Sequence, residues 1–210
     1  MRLRVIAGEF RSRLLKSVPG LDTRPTPDRL REALFNVLAP VIEGAVFLDA
    51  YAGTGAVGIE ALSRGARRAI FVERNRGAVE VIRDNLAALG IAGRAEVYTG
   101  KALPVLERVT ADIIFLDPPY ALANEYKESL DLLGSRSANS VTANDIPHRK
   151  AAENGPSVVA ESRCPSPNWP LVIVQHAHRQ PLDNTYGLLH RTRILRQGDN
   201  ALSFFTRSSS

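Results

Sequence analysis

The chain has 210 residues, 44% of them hydrophobic, and carries 27 Lys and Arg against 22 Asp and Glu for a net charge of +5. That is enough for one globular α/β domain with a sizeable core. No apolar run approaches bilayer length, and the single cysteine, Cys164, excludes an internal disulfide and a multi-cysteine metal site. The basic excess, with a sequence pI of about 9.7, favours a polyanionic partner, because Lys and Arg near phosphates gain by releasing condensed counterions. The opening "MRLRVIAGEF" has no apolar segment or cleavage site of a secretory leader. With so little cysteine, a reducing cytoplasm is the expected setting.

Residues 2–16 alternate Arg2, Leu3, Arg4, Val5 and then meet Gly8, which predicts a short β-hairpin with one basic face. Arg2, Arg4, Arg11, Arg13, Lys16, Arg24, Arg29 and Arg31 crowd this part of the chain. A turn-rich loop, "SVPGLDTRPTPD", follows. Thr26 before Pro27 reads as an N-cap and first-turn proline. Leu30, Ala33, Leu34, Val37 and Leu38 then repeat at helical spacing, predicting an amphipathic helix over 27–39 that Pro40 stops.

From Ala45 the pattern becomes strand–helix alternation. "AVFLDAY", "RAIFVER", "AEVYTG" and "ADIIFLDPPY" read as strands; "AVGIEALSRG", "RGAVEVIRDNLAALG" and "LPVLERV" read as the helices between them. Such alternation predicts parallel strands with helical crossovers on both faces. "EYKESLDLLG" follows as helix, "PLVIVQH" as strand, and "LLHRTRILRQGDNALSFFTR" as a terminal antiparallel hairpin turning at Gly198–Asn200. The polar stretch over 135–169, rich in Ser, Asn and Pro and without periodicity, is expected to be a disordered insertion. His148, His176, His178 and His190 lack metal-ligand spacing, and His176 and His178 are expected at the surface.

The first parallel strand runs into "GTGAVG", Gly53 to Gly58, which opens a helix, and Glu73 follows Gly53 by twenty residues at the end of the next strand. Strand, glycine loop, helix and acid together point to a nucleoside-containing cofactor. Gly53 would allow the tight turn, Gly55 close approach of a ligand, and Gly58 packing of helix on strand, while Glu73 accepts both ribose hydroxyls. Asp49, just before the loop, suits a cationic amino group and would repel a pyrophosphate, which favours S-adenosylmethionine (SAM) over NAD. The residues expected around this cofactor are Asp49, Ala52, Gly53, Thr54, Gly55, Gly58, Glu73, Arg74, Lys101 and Ala102.

In "IIFLDPPY", two prolines lack the N–H that a central ladder needs, so the chain leaves the sheet at Asp117. A stiffened carboxylate at the carboxyl end of a parallel strand sits where open α/β sheets bind ligands. Asp117 and the Pro118 carbonyl could each accept one N–H of an amine. Pro119 adds stiffness, and Tyr120 ends the motif with an aromatic ring.

Together "TRPTPDRLREALFNVL", "FLDAYAGTGAVGIEALSRGA", "FVERN" and "IIFLDPPY" resemble the RsmD family, bacterial enzymes that methylate the exocyclic amine of one guanine in 16S ribosomal RNA with SAM. The resemblance covers residues 1 to about 134 and resumes more loosely over about 170–207. It implies a class I SAM-dependent methyltransferase, with a mostly parallel seven-stranded sheet and helices on both faces. An RNA-facing extension would span 1–40 and the methyltransferase domain 41–207. It further implies a monomer without metal, acting on the N2 amine of guanine 966 in 16S rRNA or an assembling small-subunit particle. Arg2, Arg4, Arg11, Arg13, Arg24, Thr26, Arg29 and Arg31 would then meet RNA. Three features depart from the family pattern: the 135–169 segment, Lys101 where an acid is frequent after the strand "AEVYTG", and Gln175 where an acid is common. Two other readings fit the motifs: the same chemistry on DNA adenine or a protein glutamine, and, in another class, an inactive RNA-binding ribosome-assembly factor.

Overall fold

The structure is a computed structural model that describes residues 3–18, 26–119, 123–136 and 169–207. Arg2, Arg24, Tyr120 and most of the expected insertion lie outside the described residues. A single sheet organises the rest. Its strands are β1 (Val46–Asp49), β2 (Arg68–Glu73), β3 (Ala95–Thr99), β4 (Ile113–Leu116), β5 (Leu171–Ala177), β6 (Thr185–Tyr186), β7 (Leu189–Gln197) and β8 (Asn200–Arg207), in spatial order β3-β2-β1-β4-β5-β8-β7-β6. β1 to β5 are parallel, and β6 to β8 run antiparallel. The eighth strand, against seven expected, is the two-residue β6, which folds back on β7 through Thr185↔His190 and Tyr186↔Leu189 and is too short to leave a periodic signal.

The helices are α1 (Asp28–Leu38), α2 (Ala56–Ser63), α3 (Arg76–Leu89), α4 (Ala102–Leu106) and α5 (Ala123–Ser135). Strand alternation sorts the core onto two faces. Leu48, Ile114, Leu116 and Val172 pack with Leu106, Tyr126 and Leu130 of α4 and α5. Phe47, Phe115, Ile173 and Leu202 face Leu34, Phe35 and Leu38 of α1. Further along that second face, Ala69 and Phe71 meet Ile59 and Leu62 of α2 and Ile82 and Leu86 of α3. α1 therefore covers the middle of the sheet, with its amino end at the carboxyl ends of β1, β4 and β5.

The N-terminal segment is a loose hairpin with one ladder bridge, Arg4↔Leu14. Its hydrophobic side, Leu3, Val5 and Leu15, is buried on α2 and α3. The attachment is polar as well: the buried Glu60 carboxylate of α2 accepts the N–H groups of Ile6 (2.8 Å) and Ala7 (3.0 Å) and the Nε of Arg64 (2.7 Å). Gly8 lies so close to α2 that a Cβ there would stand 1.9 Å from the Ser63 carbonyl oxygen. At the boundaries of the expected insertion, Ser135 still belongs to α5, Arg136 donates to the Leu106 carbonyl (2.9 Å), and the Arg207 guanidinium lies 3.8 Å from the Trp169 ring centroid.

Candidate active site

The chain reverses its direction of travel across the sheet between β1 and β4, and a cavity of about 750 Å3 opens at the carboxyl ends of these strands. It is lined from β1 by Asp49, from the glycine loop by Ala52, Gly53 and Thr54, and from the end of β2 by Glu73 and the following Arg74. Lys101 and Ala102 at the start of α4 close one end, and Asp117, Pro118 and Pro119 close the other. Residues from four separate strand ends thus meet in one cavity.

Two of the three loop glycines exchange the roles expected of them. Gly53 has φ 53° and open space where a Cβ would stand, so it is the position that admits a ligand to the backbone. Gly55 is buried at φ 78° as the left-handed residue preceding α2, and it does not line the cavity. Gly58 fits its expected part: a Cβ would stand 2.3 Å from the Phe71 ring, so α2 can sit on β2 only without one.

The carboxylates are held by backbone N–H groups. Glu73 accepts from Gly53 N (2.9 Å) and Asn75 N (2.7 Å), which fixes its side chain at the edge of the cavity. Asp49, only 1% exposed, accepts from Gly58 N at 3.1 Å. Burial pushes its carboxyl up to about 7, with the Gly58 N–H opposing and the Glu73 charge adding to the rise. Burial, and secondly the Asp49 charge, push Asp117 up to about 7 as well. Two acids made difficult to ionise, with no cation among the causes acting on either, face one cavity. A positively charged ligand group would relieve both.

Several contacts at the target end were not legible in the sequence. The Pro118 carbonyl already accepts the buried Tyr126 hydroxyl at 3.2 Å, which fixes the peptide and leaves its second lone pair. Tyr51, lining the cavity, is hydrogen-bonded to Ser129 at 3.2 Å, and burial raises its phenol. Thr26 does not cap α1, which begins at Asp28 after Pro27 with no side-chain cap; its hydroxyl donates instead to Gln175 Oε1 at 3.2 Å.

The basic N-terminus is more structural than its composition suggests. Arg4 pairs with Asp28 at 3.7 Å, and Arg13 donates to the Ala88 carbonyl in the last turn of α3 at 3.2 Å. Arg31, expected to meet RNA, is fully buried and donates to the Arg4 carbonyl (2.6 Å) and Asp28 (3.0 Å), tying α1 to the N-terminal segment. Arg11 and Arg29 are exposed, and Arg29 stands on the first turn of α1 beside the cavity-lining Pro27. His176, expected at the surface, is 2% exposed, with Nε2 2.9 Å from Ser203 Oγ on the neighbouring β8; His178 is exposed. Among the described residues no group of three His, Cys, Asp or Glu could hold a metal, and no helix is long and apolar enough to cross a membrane.

This sheet order with helices on both faces and a glycine loop after β1 is the fold of class I SAM-dependent methyltransferases, and the residues present fit that cofactor. Among the described residues no cation pairs with the buried Asp49, which could take an ammonium, and the backbone-held Glu73, twenty residues beyond Gly53, could accept ribose hydroxyls. A family model described as conserved hypothetical protein 95 matches residues 3–154, and the chain belongs to that family, the RsmD family. Ribosomal RNA small subunit methyltransferase D of Haemophilus influenzae is 33% identical over 175 residues, covering 81% of this chain and 86% of that protein. The Escherichia coli protein of the same name is 44% identical over 121 residues, covering 57% of this chain but only 61% of its own length. Among solved structures, the yhhF methyltransferase candidate of Escherichia coli superposes with a TM-score of 0.74 at 29% identity, with both chains covered completely.

Proposed function

We propose that this protein transfers a methyl group from SAM to the exocyclic N2 amine of a guanine in 16S ribosomal RNA. One observation carries the reading: Asp117 and Pro118 line the same cavity as Asp49, Gly53 and Glu73, so an amine held by the first pair and a cofactor held by the other three share one space. Asp49 would take the cofactor's ammonium and Glu73 its ribose. The names of the two relatives above, both small-subunit ribosomal RNA methyltransferases, support RNA as the substrate class.

When bound, SAM supplies an electrophilic methyl group on a sulfonium. The chain's own residues must make guanine N2 nucleophilic, since its lone pair is delocalised into the ring. The Asp117 carboxylate accepts one N–H and the free lone pair of the Pro118 carbonyl accepts the other, which draws nitrogen toward tetrahedral geometry. Tyr126 holds that carbonyl in place. As the N–C bond forms and the methyl group's bond to sulfur breaks, leaving a neutral thioether, the nitrogen would become cationic and lose a proton. Asp117, with its carboxyl near 7, can take that proton and pass it to water. Tyr120 would stack on the base, and Arg2, Arg11, Arg24 and Arg29 would contact phosphates, which position RNA without specifying its sequence.

The test is deletion of the gene in its host, followed by mapping of methylated nucleosides on 16S rRNA. One N2-methylguanosine should disappear, and purified protein with radiolabelled SAM should restore it on small-subunit particles from the deleted strain. An unchanged methylation map would refute the assignment.

A further inference from the structure

A second polar element faces the target end of the cavity. β4 and β5 pair through Phe115↔Ile173 and Leu116↔Val174, and the next residues along are Asp117 and Gln175. Both line the cavity, and Gln175 is only 4% exposed. Its Oε1 accepts the Thr26 hydroxyl, and no hydrogen bond from its amide nitrogen to a described residue accompanies it. Gln175 Nε2 is not among the enclosed side-chain atoms left without a partner, so this donor faces the cavity, where a ligand can take it.

We propose that Gln175 reads the target base beside the amine that Asp117 holds. Its Oε1, an acceptor with two lone pairs, keeps the Thr26 bond with one and accepts the ring N1–H of guanine with the other. Its Nε2 donates to guanine O6. Along the Watson–Crick edge of guanine the amine, N1–H and O6 follow in that order, and Asp117 followed by Gln175 on the adjacent strand matches this sequence of donor, donor and acceptor. Thr26 is a positioning residue that fixes which end of the amide meets N1. The assignment rests on the guanine-N2 reading above and deepens it.

The experiment uses 16S rRNA assembled by ligation with either guanine or 2,6-diaminopurine at the methylated position mapped in the deletion strain. The analogue keeps the 2-amine but has no N1–H and carries an amine in place of O6. Wild-type protein should prefer guanine in kcat/KM by about tenfold to a hundredfold, the usual discrimination of a bidentate contact. Gln175→Leu should lose that preference, to within about twofold, while retaining S-adenosylhomocysteine affinity, which also shows that it folds. Gln175→Glu still accepts N1–H but cannot donate to O6 when ionised, so it should keep part of the preference. Thr26→Val should lower the preference with unchanged cofactor affinity. A Gln175→Leu protein that binds cofactor and discriminates between the two purines as wild type does would overturn the proposal and leave the guanine-N2 reading standing. Absence of N2 methylation by wild-type protein on the guanine RNA would instead overturn both.

Discussion

Asp49 and Asp117 are chemically alike, and both are pushed up to about 7, yet the proposed function gives them different work. Asp49 is anchored by Gly58 N–H in the floor of the cavity, whereas Asp117 precedes two prolines at its target end. Asp117→Ala should therefore leave SAM binding within about twofold while lowering single-turnover methyl transfer by about a hundredfold or more, because it removes a contact to the reacting amine alone. Comparable losses in both measurements would remove Asp117 from the chemistry. Asp49→Asn should do the opposite, weakening SAM binding before it affects turnover at saturation. If Asp49 takes the ammonium it must be ionised, so wild-type SAM affinity should fall as pH drops below about 7, by up to about tenfold per unit, and Asp49→Asn should flatten that dependence. These two acids were legible in the sequence because each ends an apolar strand. Tyr126 and Ser129 were not, since their partners Pro118 and Tyr51 are brought near only by the packing of α5 on the sheet.

The elements were mostly legible, and the places where they were not have identifiable causes. β1 to β5 with their crossovers follow from apolar runs bounded by glycine and acid, and the β7–β8 hairpin turns within one residue of its expected place. Thr26 reads as an N-cap because its true partner, Gln175, is 149 residues away. Arg31 carried a signal that helical spacing could have exposed: it falls on the same stripe as Leu34, Phe35 and Leu38, and a cation on an apolar stripe is a buried anchor rather than a nucleic-acid contact. The junction between the N-terminal segment and α2 concentrates such anchors. Glu60→Ala would strip an acceptor from the Ile6 and Ala7 N–H groups and from Arg64, and should destabilise the protein by about 3 kcal/mol, read as a lower urea midpoint. Gly58→Ala attacks the other side of α2. Its methyl group would meet the fully buried Phe71 ring, and the helix must lift from β2 at a cost of about 1–3 kcal/mol. Because Gly58 N–H also holds Asp49, that variant should lose SAM affinity along with stability, and intact affinity would show that α2 can repack without disturbing the cofactor floor.

Across the whole molecule, a cavity proposed to receive a cation obliges the fold to carry ionisable groups in unfavourable places. The Asp49 carboxyl titrates near 7 in the folded chain against an ordinary value of 3.8. Between those values the folded state holds a proton that the unfolded state has released. Unfolding then releases protons, and the contribution of Asp49 to stability declines as pH rises through this window. Below about pH 4 both states are protonated and the contribution is neutral; above about pH 7 both are ionised and the full cost of burying the charge is present. Asp49→Asn keeps the shape of the side chain and removes the titration. Its stability relative to wild type should therefore increase from pH 5 to about pH 7 and level off by pH 8, as measured by urea unfolding without cofactor. S-adenosylhomocysteine, whose ammonium compensates the charge, should cancel most of that difference by stabilising wild type at pH 8 more than the variant. A stability difference that stays constant across the pH range would mean that Asp49 is already ionised in the empty cavity, held there by its backbone hydrogen bonds, and that the cofactor's ammonium is not needed to keep the charge.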